Sequence, residues 1–233
     1  MRSWKYLATS FLCLLPLLVR GEDAPLRDDE QFRWQQLILP GTLITAGTVC
    51  AASGWYGSAV NDWMKGGRCL QVDDYIQYLP VASMLVLGRV AEPRHSFRER
   101  LCITGTAYAS MGILVNGLKY TVREKRPDTS ARQSFPSGHS ATAFMGAELV
   151  RREYGGWYGA GAYTVATATA LSRIYNNRHW AVDIIAGAAV GILSAHIGYW
   201  LLPLGRSLFH LDAQGAQVIV LPSYGGCSLA VVF

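Results

Sequence analysis

The chain has 233 residues and a net charge of +5; 51% of its residues are hydrophobic and only 16% are charged, which suits one sizeable helical domain. The basic balance does not indicate a nucleic-acid partner, because the sequence has no dense run of Lys and Arg and no nucleic-acid motif. The five cysteines follow no metal-binding or redox spacing.

Residues 1–21 are typical of a targeting segment. Arg2 and Lys5 precede an apolar run, Tyr6–Val19, that is short for a membrane-spanning helix. The pattern predicts a cleaved secretory signal ending near Gly21, with an uncleaved N-terminal anchor as the alternative. In both cases the chain would enter or cross the inner membrane.

Helical patterns dominate the rest of the chain. Apolar or helix-compatible segments occur at Leu37–Ser53, Asp73–Ala91, Phe97–Lys125, Ser140–Tyr154, Trp157–Tyr175 and Trp180–Leu202. In the second segment, Asp73 or Asp74 can cap the helix, and Pro80 kinks or interrupts it. Apolar stretches on either side of Gly225–Gly226 predict a small terminal hairpin.

These elements predict an all-α fold: a bundle of about five to six core helices, embedded in a membrane, with a small C-terminal β-like tail. The organisation we expect is a signal peptide or anchor over 1–21, a helical domain over 22–210 and a tail over 211–233. His95 and His210 lie in connections and are expected at the surface, whereas His196 is expected to be a satisfied buried or interfacial group.

Two patterns favour insertion of the bundle into a membrane. Tryptophans stand at the ends of apolar segments, as interfacial anchors do, at Trp34, Trp55, Trp157, Trp180 and Trp200. Arginines lie in two connections that a serial bundle places on one side, at Arg89, Arg94, Arg98, Arg100, Arg151 and Arg152. The positive-inside rule makes that side cytoplasmic, and the motifs described next would face the periplasm. The short runs Ser140–Val150 and Trp157–Leu171 argue against insertion, and a soluble periplasmic protein is the alternative.

Two stretches supply groups suited to a phosphate anion. In KYTVREKRP, Lys119 and Arg126 are seven residues apart and would share a face of a helix. In PSGH, the turn of Ser137 and Gly138 before a helix directs backbone N–H groups outward, which makes an anion site. His139 stands at the lip of that turn.

The third stretch, SRIYNNRHWAVD, places Arg173 six residues before His179 and Asp183 four residues after it. Positions i and i+4 share one helical face, so Asp183 can hydrogen-bond one ring nitrogen of His179 and leave the other free. Guanidinium groups bind phosphate oxygens bidentately. A histidine that attacks phosphorus forms a phosphohistidine, and a second histidine can protonate the leaving alkoxide.

The order KxxxxxxRP, PSGH, SRxxxxxHxxxD resembles the three-part signature of the type 2 phosphatidic acid phosphatase family, which also contains vanadium haloperoxidases and bacterial acid phosphatases. Every defining position matches, within the stretch Phe97–Leu202. The resemblance implies a helical bundle with no metal and no other cofactor. It implies that His179 is the nucleophile, that Asp183 orients it and that His139 is the general acid. The phosphate-binding residues it implies are Lys119, Arg126, Ser137, Gly138 and Arg173.

The function that follows is a metal-independent phosphatase that hydrolyses a phosphate monoester of a membrane lipid through a phosphohistidine, at the periplasmic face of the bacterial inner membrane. The stretch Arg126–Glu148, and a leader followed by a bundle, resemble envelope phosphatases of Gram-negative bacteria that act on lipid A. Phosphatidylglycerol phosphate and phosphatidic acid are further candidate substrates. The alternatives are a soluble periplasmic non-specific acid phosphatase, an isoprenyl diphosphate phosphatase and, more remotely, a vanadate-dependent haloperoxidase. The expected partners are the lipid and the membrane, with no nucleic acid and no obligate protein partner.

Overall fold

The computed structural model describes residues 30–55, 57–66, 72–128 and 132–211 in full, and the backbone of residues 217–223 and 226–232. The predicted leader over 1–21 lies outside the described residues. The division of the chain into a domain over 22–210 and a tail over 211–233 stays a prediction.

Helices make up most of the described chain. In order they are α1 (Gln35–Ala52), α2 (Ser58–Met64), α3 (Asp73–Ile76), α4 (Leu79–Val86), α5 (Phe97–Val122), α6 (Gly138–Tyr154), α7 (Gly156–Tyr175), α8 (Ala181–Trp200) and α9 (Leu202–Phe209). The tail forms two antiparallel strands, β1 (Gln217–Ser223) and β2 (Gly226–Val232). The predicted helical bundle with a β-like tail is therefore confirmed.

Pro80 divides the helix predicted over Asp73–Ala91. Helix α3 ends at Ile76, and α4 begins at Leu79 with Pro80 in its first turn, where the missing N–H costs no helical hydrogen bond. A short 3₁₀ turn, Leu87–Arg89, follows α4. The break leaves α3 as a separate turn that packs against α6 and α7.

Helix α5 begins with a capping box. The Ser96 hydroxyl accepts the backbone N–H of Glu99 at 3.3 Å, and the Glu99 carboxylate accepts that of Ser96 at 2.8 Å. The helix ends at Val122, three residues before the predicted end, because Arg123 adopts the left-handed conformation with φ of 50°. Lys119 therefore lies on the helix, whereas Arg126 lies beyond it.

Helix α8 is the centre of the bundle and packs closely on α6. A Cβ on Gly191 would lie 2.2 Å from the carbonyl oxygen of Ala141, and one on Gly187 would lie 2.4 Å from that of Ser137. Only glycine permits this approach of the two backbones. The contact brings the beginning of α8, with its His and Asp, beside the turn that begins α6.

Two described helices, α5 and α8, are long and apolar enough to cross a membrane. The apolar stretch of α8 is 78% buried, as in the core helix of a soluble protein, whereas that of α5 is only 28% buried. Helix α5 exposes Leu101, Ile113 and Tyr120. Three of the predicted tryptophan anchors are also exposed, namely Trp34, Trp55 and Trp157. This apolar surface suggests a membrane-associated protein.

The α4–α5 and α6–α7 connections meet at the end of the bundle away from the motifs, as predicted, but several of the charged and titratable groups there are buried. His95, expected at the surface, is buried with its backbone N–H and Nδ1 at 2.7 and 2.9 Å from the Glu153 carboxylate. Arg100 is buried too, and donates to the carbonyl of Met84 at 2.9 Å. The prediction that His95 lies at the surface is therefore wrong, because the Glu153 carboxylate satisfies its polar groups inside the protein.

Candidate active site

The three motifs meet at the end of the bundle where α5 finishes and α6 and α8 begin. Hydrogen bonds to backbone carbonyls join them: Ser137 N–H to Asp183 at 3.0 Å, Ser134 N–H to Glu124 at 3.0 Å, and the Trp180 indole N–H to Lys125 at 2.8 Å. Asn61 of α2 supports the third motif, since its side chain donates to the carbonyl of His179 at 2.8 Å. The convergence rests on main-chain contacts and so does not depend on long, flexible side chains.

His179 and Asp183 form the buried pair that the i, i+4 spacing predicts. Nδ1 of His179 lies 3.3 Å from Oδ2 of Asp183, and the two residues are 1% and 0% exposed. The same oxygen accepts the backbone N–H of Trp180 at 2.9 Å and the hydroxyl of Ser134. Asp183 also lies in the first turn of α8, where the helix dipole favours negative charge. An ionised Asp183 places the ring proton of His179 on Nδ1 and leaves the lone pair of Nε2 available.

The imidazole of His179 is neutral at physiological pH. Burial lowers its pKa to about 4, and the nearby charges of Arg173 and Lys119 act in the same direction. The hydrogen bond and charge of Asp183 raise the pKa, but burial outweighs them. A neutral imidazole is the form that can act as a nucleophile.

His139 sits in the first turn of α6 and contacts a carboxylate that the sequence did not connect with it. Its Nε2 lies 2.8 Å from Oδ1 of Asp74 in α3. Burial lowers the pKa of His139, the charge of Arg173 lowers it further, and Asp74 raises it. The pKa of His139 is lowered overall, and the contact with Asp74 limits that fall and favours the protonated form.

The cations of the site are close enough to repel one another, and two of them keep unused donors. The charges of Arg126 and Arg173 both act on Lys119, whose Nζ donates to the carbonyl of Gln133 at 2.7 Å. The buried Nε atoms of Arg126 and Arg173 find no acceptor among the described residues. Free guanidinium donors beside like charges are suited to an anion with several oxygens.

The turn at Ser137 and Gly138 opens toward unfilled space. Ser137 is the N-cap of α6, and its hydroxyl accepts the N–H of Ser140 at 3.4 Å. A Cβ added to Gly138 would meet no atom within 4 Å. The turn therefore leaves room for an anion at the N-terminus of α6.

Asp73 and Asp74 belong to the site and do not cap a helix through their side chains, which corrects the sequence prediction. Asp73 is 1% exposed; its Oδ2 accepts from Arg173 at 2.5 Å and from the Asn176 amide at 3.1 Å. Two acids before an apolar helix are the usual pattern of a capped N-terminus, so no local pattern indicated their long-range partners.

Ser134 and Glu124 were missed as well. Ser134 stands two residues before PSGH, and its hydroxyl lies 3.4 Å from Nδ1 of His179. Glu124 is the only acid inside KYTVREKRP, and that isolated position was the one feature of the sequence that could have identified it. Within the described ranges, no group of three or more His, Cys, Asp or Glu side chains is placed to hold a metal ion.

Residues 100–206 match the family model of the PAP2 superfamily. The match covers a little under half of the chain, and over that stretch it confirms the resemblance inferred from the three motifs.

The chain is also similar to a curated protein and to a solved structure. A lipid A 1-phosphatase of Porphyromonas gingivalis is 42% identical to this chain over 139 residues, which cover 58% of the chain and 31% of that protein. The chain thus spans about a third of the length of this curated relative. A crystal structure of Aquifex aeolicus LpxE aligns with 61% of this chain and 93% of its own, at a TM-score of 0.49 and 21% identity.

Proposed function

We propose that this protein is a phosphatase that hydrolyses a phosphate monoester of a membrane lipid, with His179 as the nucleophile and His139 as the general acid. The observation that carries the proposal is the buried, neutral imidazole of His179, fixed by Asp183 and facing a group of cations. The match of residues 100–206 to the PAP2 superfamily model supports the reaction class.

In the first step, the lone pair of Nε2 on His179 forms a bond to phosphorus while the bond from phosphorus to the alcohol oxygen breaks. His139 gives its proton to the departing oxygen. The cations Lys119, Arg126 and Arg173 stabilise the charge that develops on the phosphoryl oxygens.

In the second step, water attacks the phosphohistidine. His139, now neutral, takes a proton from the water as the new bond to phosphorus forms and the nitrogen–phosphorus bond breaks. Inorganic phosphate leaves, and both histidines return to their starting states. Asp183 keeps its charge throughout and stabilises the proton on Nδ1 of His179.

A lipid substrate is favoured by the molecule's surface and by its relatives. The exposed face of α5 and the exposed tryptophans suit contact with acyl chains. The relative from Porphyromonas gingivalis is described as acting on lipid A, at its 1-phosphate. We therefore infer a phosphorylated membrane lipid of this kind, and lipid A is the leading candidate.

We further infer that the protein resides in the bacterial cell envelope, in the inner membrane, with its site facing the periplasm. The exposed Arg89 and Arg98 lie at the end of the bundle away from the site, and the positive-inside rule makes that end cytoplasmic. Arg100 and Arg152 are buried, so fewer exposed cations mark the cytoplasmic end than the sequence indicated. The remaining exposed cations still assign the same end to the cytoplasm.

The test is a substrate panel with purified, detergent-solubilised protein and released phosphate as the readout. The panel contains lipid A, phosphatidylglycerol phosphate, phosphatidic acid, an isoprenyl diphosphate and a small soluble phosphate ester. A kcat/KM for one lipid well above that of the soluble ester supports the proposal. Equal rates on all of them, from protein that stays soluble without detergent, would favour the non-specific acid phosphatase. Halide oxidation that requires added vanadate would favour the haloperoxidase.

A further inference from the structure

Glu124 is a buried acid with nothing to neutralise it. The residue is 6% exposed, and both of its carboxyl oxygens are buried without a hydrogen-bond donor in the part of the chain that the structure describes. An ionised carboxylate in such a place would bear the full cost of leaving water. A neutral carboxylic acid bears far less, and it carries a proton that needs an acceptor.

The acceptor is Asp183. Ser134 joins the two residues, since its backbone N–H donates to the carbonyl of Glu124 at 3.0 Å and its hydroxyl donates to Oδ2 of Asp183. The charge of Asp183 also acts on the carboxyl group of Glu124. Oδ2 of Asp183 already accepts from Ser134, Trp180 and His179, whereas its Oδ1 is buried and has no partner among the described residues. Two adjacent buried carboxyl groups cannot both ionise at moderate cost, so the pair shares one proton.

The proton belongs to Glu124. Asp183 has three donors on its other oxygen and stands in the first turn of α8, and both features stabilise its charge. Glu124 has neither. Burial, followed by the charge of Asp183, raises the pKa of Glu124 to about 9.

We propose that Glu124 is a positioning residue of this site, a neutral acid that donates its O–H to the free Oδ1 of Asp183. The proposal rests on the function proposed above. The hydrogen bond holds the Asp183 carboxylate in the plane in which Oδ2 faces Nδ1 of His179. It also ties the end of the first motif to the third. No proton moves along this bond during turnover, so Glu124 acts only through Asp183.

The backbone fixes Glu124 in place for this role. Arg123 ends α5 in the left-handed conformation, and the carbonyl of Glu124 accepts the N–H of Ser134 at 3.0 Å. The chain direction therefore changes immediately before the acid, and the acid points inward while Arg123 and Lys125 are exposed.

The pH dependence distinguishes a neutral acid from an ionised one. As pH rises through about 9, Glu124 loses its proton, and a hydrogen bond to Asp183 becomes a repulsion between two carboxylates. The charged and titratable groups around this pair are Lys119, Arg126, Arg173 and His179. Wild type and E124Q differ only at this position, so the difference between their pH profiles isolates Glu124.

The kinetic test compares E124Q with E124A in purified enzyme. The amide of E124Q keeps an N–H donor of the same shape, whereas E124A leaves Oδ1 of Asp183 without one. We expect kcat of E124A to fall about tenfold to a hundredfold, with E124Q restoring most of it and KM changing little in either. Wild type should lose activity near pH 9 as Glu124 ionises, and E124Q should not show this part of the loss. Equal losses of kcat in E124Q and E124A would overturn the proposal. So would the same fall of kcat at alkaline pH in E124Q and wild type.

An infrared measurement without substrate separates this inference from the proposed function. At pH 7, wild type should show the C=O stretch of a neutral carboxyl group, and E124Q should lose it. The matched control is E148Q, because Glu148 is also buried but is paired with Arg151 at 2.7 Å and is ionised. That variant should keep the band. A spectrum that E124Q leaves unchanged would overturn the assignment of the proton, whereas a wild type that releases no phosphate would overturn only the proposed function.

Discussion

The two ends of the bundle use buried charge in opposite ways. At the end away from the motifs, Arg206 donates to Glu30 at 2.6 and 2.9 Å and to Glu99 at 2.7 Å, while the carboxylate of Glu148 accepts from Arg151 at 2.7 and 2.8 Å. At the active-site end, Arg173 keeps one buried ion pair with Asp73, but it lies close to two other cations, Lys119 and Arg126. The Nε atoms of Arg126 and Arg173 have no acceptor among the described residues.

The difference shows which charges serve the fold and which serve a ligand. Paired charges at the far end are satisfied by the protein itself, so they contribute to stability and bind nothing further. The active-site cations are left with unused donors and mutual repulsion. Burial and the charge of Arg173 lower the pKa of Arg126, opposed by Asp128. An entering phosphate dianion relieves this repulsion, so binding energy is stored in the site before substrate arrives.

The largest expected effect is that of H179A on turnover. Loss of the nucleophile should lower kcat by at least roughly a thousandfold, because no other side chain can form the phosphorus bond. The matched control is H210A at an exposed histidine, which should keep the wild-type rate. Thermal unfolding of both variants checks that the fold is retained. Retained turnover in folded H179A would contradict the account.

R126K is expected to have the next largest effect. Lysine keeps the charge but loses the planar fork that binds two oxygens at once, so kcat/KM should fall about a hundredfold. R123K, three residues earlier at an exposed position, should lie close to wild type. Equal losses of kcat/KM in R126K and R123K would show that Arg126 contributes no more to phosphate binding than a solvated arginine does.

D74N should have a smaller and pH-dependent effect. The charge of Asp74 raises the pKa of His139. In D74N that pKa should be lower, so the general acid should lose its proton at a lower pH. Asp74 is half exposed, so we expect a severalfold loss at neutral pH and a recovery at lower pH. The control is D62N, an exposed acid that pairs with Lys65. An unshifted kcat profile in D74N would show that Asp74 does not act on His139.

R206A probes the far end and should leave activity almost unchanged. Removal of Arg206 leaves Glu30 and Glu99 without their shared cation, so the free energy of unfolding should fall by about 1–3 kcal/mol. R98A, at an exposed arginine of α5, should change it by less than about 0.5 kcal/mol. A large loss of kcat in a folded R206A would erase the distinction between the two ends.

The sequence predicted the fold class and the residues of the three motifs, because both have local signatures. Helical periodicity and the Gly155 turn predicted α6, α7 and α8 to within a few residues. The spacing of His179 and Asp183 predicted their contact, since four residues on a helix fix the geometry.

The sequence could not predict contacts between distant segments. Asp73 lies one hundred residues from Arg173, and Asp74 lies sixty-five from His139, so no local pattern distinguished them from capping residues. His95 was wrongly placed at the surface because its partner, Glu153, lies fifty-eight residues away. Glu124 was missed because its role depends on the left-handed turn at Arg123, which no propensity of Arg indicates.

The most direct test of the account is to look for phosphate on His179 during turnover. Wild type is mixed with its best lipid phosphate, quenched in alkali to preserve a phosphohistidine, and analysed by peptide mass spectrometry. The account predicts a phosphorylated peptide that carries the modification on His179 and that is absent from H179A. Rapid turnover with no phosphorylated intermediate, or phosphate on another residue, would contradict the central claim.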